Sequence, residues 1–133
     1  MLIRVITIAL GVACMASPSW AHHSATAIFD VRARVDFRGT LTEVRWINPH
    51  IRITVDVETE DGSVKPWVFE SQPPQWFRRV GMGRTTFQNA IGKTMRIVGM
   101  PAHNGQAFGS LREVTFEDGT SFTVVVDRIE GQE

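Results

Sequence analysis

The sequence predicts an all-β domain with one short helix, a small OB-like Greek-key β-barrel. Two observations predict it: alternating β stretches come first, and a proline-started helical segment then separates them from at least two more. A long, bent first strand belongs to the same pattern, which a small open β-sandwich would share.

Val35 to Trp46 (VDFRGTLTEVRW) reads as that first strand. Its apolar residues fall at 35, 37 and 41 and then at 44 and 46, so the alternation changes phase near Gly39 or Thr42-Glu43, the mark of a bulge or sharp bend. After the turn Asn48-Pro49, the run His50 to Glu58 alternates with almost no error. Ile51, Ile53, Val55 and Val57 share one face, and His50, Arg52, Thr54, Asp56 and Glu58 the other. Asp61-Gly62 predicts a hairpin turn into Val64 to Glu70, where Trp67 and Phe69 share a face.

Gln72 to Val80 (QPPQWFRRV) predicts the helix, with prolines tolerated in its first turn and Gly81 or Gly83 ending it. A fourth strand follows over Thr94 to Met100 and a fifth over Phe108 to Phe116. Asp118-Gly119 then turns into a sixth, edge-like strand over Ser121 to Val126.

The N-terminus reads differently. Arg4 is followed by an apolar run over residues 5–13, and Ser19-Trp20-Ala21 places small residues where a signal peptidase reads them. The run is far shorter than the roughly 20 residues of a spanning helix. Residues 1–21 are therefore expected to be a cleaved secretory signal peptide, residues 22–34 an arm, and residues 35–133 a single barrel domain in a periplasmic or secreted protein. A rival site, Val12-Ala13-Cys14, faintly resembles that of a lipoprotein and would anchor the chain instead.

Composition narrows the function classes. The single cysteine, Cys14, lies in the signal segment, which removes disulfides, thiolate metal sites and cysteine nucleophiles from the mature chain. Charge is balanced, with 14 basic and 14 acidic residues. That balance offers no electrostatic footprint for nucleic acid or an anionic membrane. The expectation is a monomer or weak oligomer with no membrane span, whose partner is an unknown protein or small molecule. No Ser-His-Asp order, glycine-rich phosphate loop or carboxylate pair stands at a useful spacing, so a non-enzymatic role is expected.

The stretches AHHSATAIFD, GTLTEVRWINPHIRITVDV, PWVFE with the arginine-rich helix after it, and GMPAHNG together resemble the DUF6152 family of small exported bacterial proteins. The His-His-Ser start and Asn48-Pro49-His50 are the most specific part of the resemblance. It implies an exported barrel-like domain and supplies no activity. The helix PPQWFRRVG is bulkier and richer in proline than the family pattern leads one to expect.

Cleavage after Ala21 would make His22 the first mature residue. Such a histidine offers two nitrogens, the α-amine and ring Nδ1, whose unperturbed pKa values of about 7.7–8.0 and 6.5 let a metal displace their protons near neutrality. One further imidazole completes a T-shaped three-nitrogen site of the histidine-brace kind, and such a donor set favours Cu(II).

His50, on the polar face beside the proline turn, is the first candidate to complete it; His103, in the loop PAHNG, is the second, and His23 with its peptide amide the third. Asp30 is a candidate oxygen ligand or hydrogen-bond partner, and Met82 and Met100 are candidate soft ligands. The bland alternatives are a solvated terminus for His22 and His23, a turn histidine hydrogen-bonded to backbone at 50, an exposed loop histidine at 103, and core methionines.

Trp46, Trp67, Trp76 and Phe77 offer a second kind of site, a stacking face for rings, against which stands simple core packing. The Pro-initiated helix and the basic cluster Arg78, Arg79 and Arg84 could rim a cleft around Trp76. Two functions are thus predicted. The first is transition-metal binding, with Cu(II) foremost, through His22 with His50 and with His103 as a further ligand, for carriage or sequestration; a copper oxygenase is a weaker variant. The second is a metal-free binding module for a sugar, peptide or protein partner at the Trp76 face.

Overall fold

The computed structural model describes residues 25–124; the predicted signal segment, His22, His23 and residues 125–133 lie outside them. Six strands follow the predicted order: β1 (Val35–Arg45), β2 (Arg52–Glu58), β3 (Val64–Glu70), β4 (Thr94–Pro101), β5 (Phe108–Thr115) and β6 (Ser121–Thr123). Antiparallel ladders join β1 to β2, β2 to β3, β1 to β4 and β4 to β5. A short parallel pairing of Val68–Glu70 with Phe108–Ser110 closes the circuit. The result is a closed five-stranded mixed barrel of the small OB-like kind, with β6 added on the outer edge of β5.

The bend in β1 is a bulge. Its register against β2 slips between Leu41 and Glu43, which leaves Thr42 as the extra residue, while Gly39 stays in register with Val57. The slip explains the phase change of the apolar residues. Leu41 is fully buried, and Val44, three residues on rather than two, turns back towards the core.

On β2 the alternation holds, and Ile51, Ile53, Val55 and Val57 are all buried. The ordered ladder starts two residues later than the alternation suggests, at Arg52. His50 and Ile51 belong to the connection, which contains a cis Asn48–Pro49 peptide, though Ile51 already bonds to the chain beyond β3 through its N–H to Gln72 O and its carbonyl to the Ser71 N–H. His50 therefore sits just outside the sheet rather than on its first residue.

Pro66 lies inside β3 without breaking it. The Val68 N–H donates to Ala107 O, away from β2, and Pro66 has the same parity. The missing N–H of Pro66 therefore falls on the side of β3 that β2 does not use, where it costs no ladder bond and blunts the open edge.

Among the described residues there are three short helices rather than the single predicted one: α1 (Ala25–Ile28), α2 (Pro74–Arg79) and α3 (Arg84–Gln88). The α2 helix begins with a proline at its first turn, as expected, and the chain reverses at Gly81 before α3. The α3 helix buries only Phe87, and five residues are too few to display a helical period in sequence. The α1 helix is a single turn in the segment expected to be an irregular arm.

The main core runs through the barrel and out to α2 and α3. Phe69, Phe77 and Phe87 are fully buried, each worth roughly 1.5–3 kcal/mol relative to exposure. Phe77 and Phe87 meet edge to face at 5.6 Å, and Trp46, Phe116 and Phe122 pack around them. Phe69 stacks on Trp67 and lies against β4 and β5, where Gly99 and Gly109 make room for its ring. A Cβ on Gly99 would stand 2.8 Å from that ring, and one on Gly109 3.0 Å from it.

A smaller second core holds the arm. Phe29, Met100 and Ala102 are buried together, with Ala25, Val31 and Phe108 packed around them. Phe29 bridges to Ala102, and the Asp30 N–H donates to Pro101 O at 2.8 Å, so the arm continues the end of β4 for one step.

Candidate functional site

Between this arm and the barrel lies a cleft of about 650 Å³. Ala25, Ile28 and Phe29 form its arm side, Pro49 and His50 come from the β1–β2 connection, and Arg52, Glu70, Ser71 and Phe108 line the barrel side. Barrels of this architecture often hold ligands at the loops after β1 and β4, and this cleft opens beside the first of them and the start of β5.

His50 is the imidazole in the wall. Its Nδ1 lies 2.9 Å from Ser71 O. A carbonyl only accepts, so Nδ1 carries a proton, and in the neutral ring Nε2 keeps its lone pair. A ring held at one nitrogen by a backbone carbonyl is the usual support for a histidine that donates its other nitrogen to a metal.

Beside it, Arg52 and Glu70, cross-strand partners on β2 and β3, form a forked contact. Arg52 Nε and Nη2 both donate to Glu70 Oε2, at 3.0 and 2.8 Å. The same guanidinium lies 5.9 Å above the Phe108 ring. Ser71 Oγ is buried with no hydrogen-bond partner among the described residues.

His103 sits in the β4–β5 connection and is not among the residues lining the cleft. Its Nε2–H donates to Thr26 O at 3.0 Å and its backbone N–H to Ile28 O at 3.0 Å. Both bonds end on α1. The two histidines are thus placed differently, with His50 facing the cleft and His103 gripping the arm.

The remaining predicted residues are placed as follows. His22 and His23 lie outside the described residues. Asp30 Oδ1 accepts the Arg32 N–H at 3.0 Å. Met100 is buried in the arm core, where its sulfur accepts from Arg112 Nη2, and Met82 packs against the main core. Among the described residues, no group of three or more His, Cys, Asp or Glu stands close enough to hold a metal ion.

Trp76 is half-buried, edge-on to Phe77 at 4.9 Å. Arg78, Arg79 and Arg84 are exposed, and none of them forms an ion pair with another described residue. None of these four lines the cleft beneath the arm, or a second one of about 470 Å³ between α3 and the β5–β6 turn, lined by Asn89, Lys93, Phe116 and Asp118. In that second cleft the Thr120 N–H and the nearby Lys93 hold the Asp118 carboxyl below its ordinary value.

Residue types and spacing do not single out Arg52, Glu70, Ser71 or Phe108. A signal for one is present in the sequence, since Arg52 shares the polar face of β2 with His50. The others require the pairing of β3 with β2 and β5.

Fold and site together define a small OB-like barrel with a ligand-sized cleft roofed by an N-terminal arm. Over residues 9–112 the sequence matches the model of a family of unknown function, DUF6152, and the chain belongs to that family. No curated protein and no solved structure matches the chain. Among the described residues no helix is long and apolar enough to cross a membrane.

Proposed function

We propose that this protein is an exported, non-enzymatic metal carrier or sequestration protein, periplasmic or secreted, that binds Cu(II) in the cleft beneath the arm. One observation carries the reading. His50 lines the cleft together with Ala25, Ile28 and Phe29, with Nδ1 engaged by Ser71 O, which in the neutral ring leaves Nε2 to donate its lone pair.

His22 precedes Ala25 by three residues, and an extended chain covers about 11 Å over that distance. If cleavage after Ala21 makes His22 the first residue, a span of that length would allow its α-amine and ring nitrogen to meet the same cleft. Together with His50 Nε2 they form a three-nitrogen set, which suits Cu(II).

A Cu(II) titration of protein confirmed by mass to begin at His22, followed by paramagnetic resonance, tests this reading. One-to-one binding with nitrogen hyperfine structure, lost in His50→Ala and on adding a residue before His22, is the expected result. Weak binding indifferent to both changes would overturn it.

A second reading is favoured by the cleft's mixed lining of Phe108, Ser71 and the internally paired Arg52 and Glu70, which suits a small neutral polar ligand without a metal. It predicts that a neutral sugar perturbs the NMR signals of Phe108 and Ser110 in metal-free protein. The Trp76 and arginine face is a separate location for the same kind of module, and ligand shifts there, with none at Phe108, would favour that location.

A further inference from the structure

We infer that the cleft beneath the arm takes an uncharged amide carrying an apolar substituent, the chemistry of a capped hydrophobic amino acid, and that the Ser71 hydroxyl is its specificity-determining contact. The inference rests on the metal-free reading of this cleft given above and needs no metal.

Ser71 is the one polar residue buried among the described residues, at 9% exposure, and it belongs to the wall of the cleft. Its main chain is already engaged: the N–H donates to Ile51 O at 3.0 Å, and the carbonyl accepts from His50 Nδ1 at 2.9 Å. An alanine would make both of those bonds. The hydroxyl is therefore not needed to build the connection, and it has no partner among the described residues. A buried hydroxyl without a partner destabilises a fold, and a ligand that bonds it removes that cost. Oγ meets the ligand through a turn about χ1, the single torsion of the side chain.

The charge and character of the lining select the ligand. Arg52 and Glu70 neutralise each other, so an anion would face the Glu70 carboxylate and a cation the Arg52 guanidinium. Both Arg52 bonds end on Glu70 Oε2, which leaves Oε1 as an acceptor with no donor among the described residues. In its neutral form the His50 ring offers a second acceptor at Nε2. The lining thus asks for an acceptor to take the Ser71 O–H and a donor to serve Oε1 or Nε2, and an amide supplies both without a charge.

A sugar ring would want an open aromatic face. Phe108 does not offer one, since Arg52 lies over it at 5.9 Å and Phe29 packs on it at 5.3 Å. The lining does offer an apolar group the side chain of Ile28, 42% exposed, together with Pro49.

The experiment uses metal-free protein, as wild type and as Ser71→Ala. Melting temperature is measured without ligand, and N-acetyl-leucinamide, N-acetyl-leucine and glucose are each titrated while NMR signals are followed. The expected result is saturable shifts at Ile28, Glu70, Phe108 and Ser110 with the amide, weaker binding of the carboxylate, and a roughly two- to tenfold lower amide affinity in Ser71→Ala. The variant should melt no lower than the wild type, because alanine deletes a hydroxyl that has nothing to bond.

A lower melting temperature in Ser71→Ala would mean that a buried water holds the hydroxyl, and would overturn the inference. Equal amide affinity in the variant would overturn it too, as would equal or tighter binding of the carboxylate. Saturable glucose shifts at Phe108 with none from the amide would defeat the amide class and leave the metal-free reading standing. Saturation of the cleft by neither would defeat both.

Discussion

The described residues form two cores, and these differ in how they are tied. The main core is enclosed by a circuit of five strands and plugged by Phe77 and Phe87 from the two helices between β3 and β4. The arm core is Phe29 packed on Met100 of β4 and on Ala102 just beyond it, and among the described residues one bridge and a few hydrogen bonds hold the arm there. Closure makes the first cooperative, because no strand can leave without opening the ladder on both sides. The arm has fewer ties and is expected to open at lower cost than a barrel strand, which is the property expected of an element that admits a ligand.

The largest break in that comparison is expected from Phe77→Ala. Truncating a fully buried aromatic costs about 3–5 kcal/mol, and for a domain of this size each kcal/mol lowers Tm by roughly 4–8 °C. Calorimetry should show one cooperative transition moved well down in temperature.

Gly99→Ala comes next, with about 1–3 kcal/mol lost, because the new methyl would meet both Ser110 O at 2.7 Å and the Phe69 ring. The double variant Gly99→Ala with Phe69→Leu should lose less than the sum of the two single changes, since the smaller side chain vacates the space.

Phe29→Ala separates the two cores most clearly. Phe29 is buried, at 5% exposure against 9% for Phe116 of the main core, yet its loss should release only the arm. The expected outcome is fast amide exchange at Asp30 and His103 with a Tm shift much smaller than that of Phe77→Ala. An equal shift would mean that the arm belongs to the barrel's cooperative unit.

The smallest effect concerns the β2–β3 turn. Asp61 accepts hydrogen bonds from the Thr59 hydroxyl and from the Ser63 hydroxyl and N–H, and they hold its pKa down to about 2 from an ordinary 3.8. A depressed carboxyl stabilises the folded state above its unfolded value and loses that contribution as pH falls through the folded one. The turn should therefore loosen between about pH 4 and pH 2, with the Asp61 carboxyl carbon titrating near the lower limit by NMR. A midpoint near 3.8 would mean that those hydrogen bonds do not hold the turn in solution.

Much of the barrel was legible because its signals are local. The two-residue period of Ile51 to Val57, the phase change at Thr42-Glu43 and the Asp61-Gly62 turn each reflect a few neighbouring residues, and each has its counterpart in the structure. The α1 and α3 helices were not legible, since a single turn leaves no period to detect. Nor was the β3–β5 pairing, which joins residues some forty positions apart and depends on Gly99 and Gly109 yielding room to Phe69.

The site divides in the same way. His50 and His103 were visible as residue types; His103 was expected in a loop, whereas His50 was expected at the start of the second strand and lies just outside it. Their different roles were not visible, because the carbonyls that fix their rings, Ser71 O and Thr26 O, come from distant segments. Arg52 and Glu70 read as ordinary surface strand residues until the register paired them.

The central claim, that the cleft under the arm is where metal binds, is tested most directly by adding a trace of Cu(II) to isotope-labelled protein beginning at His22 and recording which NMR signals broaden. Metal in that cleft predicts selective loss of the His50 ring, Ala25, Phe29, Glu70 and Ser110 signals, with those of Trp76 and Arg84 untouched. Broadening confined to other residues, or spread evenly over the exposed carboxylates, would contradict it.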